Sequence, residues 1–134
     1  MKKLIYITLV MFSIFALTGL AMSQEPEGGY KAGYERQVQV NDATMAIINS
    51  VVAWLKEHNF DKYEYAKIKV EDAFDQLPYL GEAKKKAETA AAKNDWKNAY
   101  LWANQVWMYM VKVADSGLRA KQIVEDAEKA AQAK

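Results

Sequence analysis

Apolar side chains recur at helical spacing along most of the chain, and polar turn residues interrupt the rhythm at a few defined places. Over residues 35–58, Val38, Met45 and Val52 repeat at seven, as do Ile48 and Leu55. Interleaved at three and four, they mark one face of an amphipathic helix. Val40, Ile47, Val51 and Trp54 widen that face to about half the circumference, while Asp42, Asn49 and Glu57 take the other side. A face so broad predicts contact with two neighbouring elements. Asn59 follows as a left-handed stop.

The next helix is announced by Asp61 as cap, with Glu64 three residues on to complete a capping box, and by Phe60 and Tyr65 at the positions of a hydrophobic staple. It is expected to run to about residue 76, with Tyr63, Ala66, Val70, Ala73, Phe74 and Leu77 on one narrow stripe. Pro78 lacks an amide donor and disfavours helix at Leu77, which predicts a break or kink there. Helical spacing resumes through Leu80, Ala83, Ala87 and Ala90. Asn94 and Asp95 then repeat the stop and the cap, and the last helix starts at Trp96. Its centre line is Ala99, Ala103, Val106 and Met110, flanked by Trp96, Tyr100 and Trp107 on one side and by Trp102 and Tyr109 on the other. Gly117 stays on the contact stripe and no capping residue follows it. The pattern therefore predicts one helix to about residue 130, at a cost of about 1 kcal/mol for a mid-helix glycine.

Short turns make successive helices antiparallel neighbours. The predicted fold is all-α: an antiparallel up-down bundle of three long arms, or four helices if the break at Pro78 is counted. The bundle domain occupies residues 35–134, and its long last helix carries an alanine-rich end (123–134) able to project or to pair with another chain. Residues 24–34 contain Pro26, Gly28, Gly29 and Gly33, a composition that predicts a flexible or ordered arm and no helix.

Residues 1–23 have the three parts of an export signal. Lys2 and Lys3 supply the positive start, residues 4–20 are apolar and uncharged, and Ala21-Met22-Ser23 offers small residues for cleavage. The expected location is periplasmic or secreted, with no stable membrane insertion once the signal is cleaved. Removing this leader and its two lysines leaves 111 of the 134 residues, with 16 basic and 17 acidic side chains and a formal charge of −1. Such a balance carries no field to draw in nucleic acid or anionic lipid. The chain has no cysteine. Disulfide staples, thiolate metal sites and lipid attachment to cysteine are thereby excluded, and the fold rests on its own apolar core.

The chemical inventory is thin. His58, the one histidine, stands four residues after Trp54 at the end of its helix and is a candidate ligand for a metal or haem. It lacks partners at ligand spacing, and there is no CxxCH or paired ExxH. Met108 and Met110 form an M-x-M pair, but on an intact helix they point about 160° apart and cannot chelate one ion. Glu71, Asp72 and Asp75 read as a solvated acidic face near Lys67. Lys84, Lys85 and Lys86 are answered by Glu82 and Glu88 at helical spacing. No catalytic, cofactor-binding or metal-binding residue is assigned.

The least ordinary feature is on the last helix. Leu101 and Met108 fall opposite its centre line among Lys97, Asn104, Lys112 and Asp115, and with Trp102 and Tyr109 they make a candidate partner surface. The run from Ala92 to Ala99 resembles the turn of tetratricopeptide hairpins, with Trp96 after the turn and Ala99 three residues later, but it does not recur at the 34-residue period of that family. Three functions remain open on the residues. The first is an exported, non-enzymatic interaction or scaffold module that binds a protein partner or a second copy of itself. The second is a carrier of a small apolar or aromatic molecule, or of haem. The last in rank is an enzyme.

Overall fold

A computed structural model describes residues 24–133, so the export signal expected over 1–23 lies outside the described residues. Four α-helices follow one another: α1 (Gly29–Glu57), α2 (Glu64–Phe74), α3 (Leu77–Ala92) and α4 (Trp96–Gln132), with a 3₁₀ turn (Phe60–Lys62) between α1 and α2. The chain is all-helical, and no strand occurs among the described residues.

Helix α1 starts six residues earlier than the sequence pattern predicts, inside the segment expected to be non-helical. Gly28 and Gly29 have φ of 80° and 86°, left-handed conformations that a glycine adopts freely. They reverse the chain so that Pro26 folds back against Gly33, which is buried. The Gly29 amide donates to the Pro26 carbonyl at 2.9 Å, and the Arg36 guanidinium donates to the carbonyl of Glu27. Tyr30 and Tyr34 then lie against Tyr100 and Trp96, each pair with ring centroids 6.0 Å apart. Tertiary contact outweighs the poor helix propensity of this glycine-rich stretch.

The buried stripe of α1 is narrower than expected. Asn41, Thr44, Ile48, Val51 and Leu55 form a strict 3-4 seam against α4, whereas Val40, Ile47 and Val52 remain 42–43% exposed. One helix covers one stripe, and the second neighbour that the broad apolar face called for does not close on α1. Gly117 explains the tightness of the seam: a Cβ there would stand 3.2 Å from Val51 Cγ1. As expected, α4 runs without a break through this glycine.

The turns follow the predicted stops but not all the predicted caps. Asn59 and Asn94 both adopt positive φ, 51° and 58°. Asp95 caps α4 by accepting from the Asn98 amide at 3.3 Å. Asp61, in contrast, caps nothing. After Asn59 the chain makes a 3₁₀ turn and an extended Tyr63, and α2 opens at Glu64 without any side-chain cap. The carboxylate of Asp61 is thus two residues too early for the exposed amides. Between α2 and α3, Pro78 sits in the first turn of the new helix, where its missing amide costs nothing. Asp75 and Gln76 keep right-handed helical angles, so the middle arm is kinked and not turned.

α4 is the spine. Along it the contacts Tyr30–Tyr100, Asn41–Ala103 and His58–Glu128 rise together in number, so α1 and α4 run in the same direction. Lys86 over Trp102 and Tyr79 on Tyr109 run in opposite order, as for an antiparallel α3. α1, α2 and α3 each pack on α4, while the backbones of α1 and the α2–α3 arm scarcely approach one another. Two clusters are buried in this way. One joins Ile48, Leu80, Ala83, Val106, Met110 and Val113; the other joins Val51, Leu55, Ala66, Ala120 and Val124.

Candidate functional site

Because α1 and the kinked arm share a spine without packing on each other, a groove remains between them. Its floor is α4, with the small residues Ala114 and Gly117 beside Val113. One wall is the flank of α1 carrying Met45, Val52 and Lys56. The opposite wall comes from Val70, Ala73, Phe74 and Leu77 around the kink, and Phe60 stands at the end of the groove. The cavity here measures about 270 Å³. Its lining is nearly all carbon, with Asn49 and Lys56 as the polar members.

Phe74 and Leu77 were expected in a buried stripe, yet they are 60% and 42% exposed. The kink is the cause. Pro78 ends α2 after Phe74, and the change of helix axis turns these side chains toward the open groove. In a monomeric protein, apolar side chains gathered around one concavity mark a binding surface more often than the same residues scattered singly.

Beyond Met45 the groove continues into a second cavity of about 200 Å³, lined by Val38, Leu80, Val106 and Met110 and edged with polar groups. Asp42, Lys84 and Glu88 belong to that edge, as does Tyr34. Partial burial, and secondarily the negative charge of Glu88, raise the Tyr34 phenol above its ordinary pKa of 10.0. The groove is therefore apolar at the Phe60 end and amphipathic toward the start of α1.

The residues singled out from sequence divide between several places. Trp102 and Tyr109 turn toward α3 and pack on the core; Lys86 Nζ lies 4.4 Å from the Trp102 ring centre, and Tyr79 stacks on Tyr109 at 5.9 Å. Leu101, 37% exposed, and the half-buried Met108 face outward on the far side of α4. The four thus do not form one face. By helical spacing and the parallel register, Leu101 and Met108 share the back of the α1–α4 seam with Val40 and Ile47. Met110 is buried in the core, as its opposite phase to Met108 requires.

His58 is held from two sides. Its ring stacks on Trp54 with centroids 3.8 Å apart, and Nδ1 donates to the Glu128 carboxylate, 3.0 and 3.1 Å from its two oxygens. Lys121 covers the Trp54 ring at 4.8 Å. This arrangement ties the end of α1 to the last turns of α4. Among the described residues no three His, Asp or Glu side chains gather as a metal site would require. Of the acidic face, Asp72 is engaged by Lys69 at 2.7 Å. The lysine run meets Glu82 and Glu88 as its spacing predicts: Lys86–Glu82 is 2.6 Å and Lys84–Glu88 3.9 Å. The hydrogen bond from Lys86, with its charge, lowers the Glu82 pKa.

The groove was not named from sequence. Its signal was present in the excess width of the apolar face of α1, which asked for a second neighbour, and in Phe74 and Leu77 just before a proline. No helix among the described residues is long and apolar enough to cross a membrane. Comparison with known proteins gives no match: no family model fits the chain, and neither a curated protein nor a solved structure is similar to it.

Proposed function

We propose that this chain is an exported, non-enzymatic binding module, built as an up-down bundle of three arms with the middle arm kinked, that receives an apolar guest in the groove between its first and middle arms. The leader-like start of the sequence supports export to the periplasm or the exterior, and the parallel α1–α4 and antiparallel α3–α4 contacts support the bundle. One observation carries the reading. A carbon-lined concavity is left open on a shared spine, and Val52, Phe74 and Leu77 stay exposed around it, although closing the arms together would bury them. Apolar surface left in water costs roughly 25 cal/mol per Å², so a guest that covers it is stabilised.

The test uses a dye that fluoresces in apolar surroundings. The purified chain should bind it saturably at one site, and Phe74→Ser and Val52→Ser should each weaken binding several-fold without changing helix content. Equal dye binding by all three proteins sinks the proposal.

A second reading rests on a different surface. Val40, Ile47 and Leu101, all exposed, and the half-buried Met108 form an apolar strip behind the α1–α4 seam, suited to a protein partner or a second copy of the chain. Sedimentation decides its self-association form: concentration-dependent dimers that Met108→Glu abolishes would support it, and a monomer at every concentration would remove it.

A further inference from the structure

The groove carries a charge pattern as well as a shape, and together they narrow the guest. Lys56 lines the apolar cavity from the last turn of α1. Lys67 stands in the first turn of α2, seven residues before Phe74 and three before Val70, and so on the same flank of its helix as those two lining residues. The two lysines therefore occupy opposite lips at the same end, the end marked by Phe60. Two other lysines at this end of the bundle, Lys69 on α2 and Lys121 on α4, have carboxylates within 4 Å. Neither Lys56 nor Lys67 has an ion-pair partner among the described residues. On the second lip Lys67 stands between Glu64 and Glu71, one turn away on either side, while Lys56 is the one charged residue in the cavity lining itself.

The apolar cavity of about 270 Å³ and the second of about 200 Å³ share Met45 in their linings, so a single methylene chain seated on Gly117 and Ala114 has room to extend past Met45 over Leu80 and Met110.

Resting on the binding-module reading above, we propose that the groove takes a single-chain amphiphile with an anionic head, such as a medium-chain carboxylate. Its head lies between Lys56 and Lys67, and its chain runs over Ala114 and Gly117 past Phe74 toward Met45.

Calorimetric titration of the purified chain with the C8, C10 and C12 carboxylates, each below its micellar concentration, tests this. One-to-one binding should tighten by about fourfold for each added methylene. Phe74→Ser and Val52→Ser should flatten that dependence. The double variant Lys56→Glu/Lys67→Glu, at two exposed positions, should weaken dodecanoate about fivefold or more while leaving dodecanol unchanged. Circular dichroism of each variant confirms that the helices persist. No saturable binding, or affinity indifferent to chain length or to the lysine pair, overturns the proposal. If the apolar dye still binds in a Phe74-dependent way while carboxylates do not, the groove is a site for another guest, such as the edge of a partner protein, and the amphiphile assignment alone falls. If neither binds, both readings fall.

Discussion

Asn41 Nδ2 donates to the carbonyl oxygen of Ala103 at 3.0 Å, a buried hydrogen bond between two parallel helices 62 residues apart in sequence. The Asn41 side-chain oxygen Oδ1 in turn accepts from Gln37 Nε2 at 3.2 Å. A polar residue in an otherwise apolar seam fixes which turn of one helix meets which turn of the other, at some expense in stability. Asn41→Ala should lower unfolding free energy by about 1–2 kcal/mol, through the lost bond and the space left behind. Asn41→Leu should cost less, because an apolar side chain of similar size removes the need for a partner. Urea denaturation of the two variants checks the order. An alanine variant as stable as the parent would mean the bond adds nothing.

Gly117 and Val51 meet where the seam is closest, and two opposed effects can be separated there. Alanine in place of a mid-helix glycine gains about 1 kcal/mol. The new Cβ would stand 3.2 Å from Val51 Cγ1, closer than such carbons ordinarily approach, so part of the gain is lost unless Val51 gives way. Gly117→Ala should be close to neutral alone and should stabilise by about 1 kcal/mol in a Val51→Ala background. A double-mutant cycle with no coupling would show that helix packing does not require the glycine.

The helices were legible in the sequence because their signals are local. Proline at 78, asparagines at 59 and 94 and the cap at Asp95 act over three or four residues, and the structure has each stop and that cap where the pattern puts them. The misses depend on distant contacts. The start of α1 rests on Pro26, Tyr100 and Trp96 covering a glycine-rich turn, which no local propensity reports. Asp61 satisfies the spacing of a capping box, but a 3₁₀ turn shifts the helix start away from it. The groove depends on how far two arms stand apart on a third. Periodicity says which face is apolar and nothing about whether a neighbour covers it, so Val52, Phe74 and Leu77 read as core.

The turn before α1 makes its own prediction. Pro26 rests where a Cβ on Gly33 would have to be, with the Pro26 Cβ 2.8 Å from that point and Tyr100 Cδ2 at 3.2 Å. Gly33→Ala should therefore lift residues 24–28 off the helix while the α1–α4 seam below stays packed. Limited proteolysis should cut the variant near Glu25 and Glu27 faster than the parent, and hydrogen exchange should accelerate at the Gly29 amide, which bonds to Pro26. Unchanged cleavage and exchange would mean that Pro26 repacks around the methyl group at little expense.

Asp95 couples the start of the spine to pH. Its carboxylate accepts from the Asn98 side chain at 2.7 Å and from the Asn98 amide at 3.3 Å, and these bonds hold its pKa below the ordinary 3.8. A carboxyl group whose pKa is lowered by folding stabilises the folded state fully above its unfolded value. That contribution is lost as pH falls through the lowered folded value. Asp95→Asn keeps a capping oxygen that does not titrate, so at neutral pH it should match the parent or fall slightly below it, since a negative charge suits a helix N-terminus. As the pH drops below about 3.8 the parent should lose its advantage and the two thermal midpoints should converge or cross, whereas Asp95→Ala should melt below the parent at neutral pH. A midpoint difference between parent and Asp95→Asn that stays constant across the acid range would show that the cap bonds do not depend on the charge.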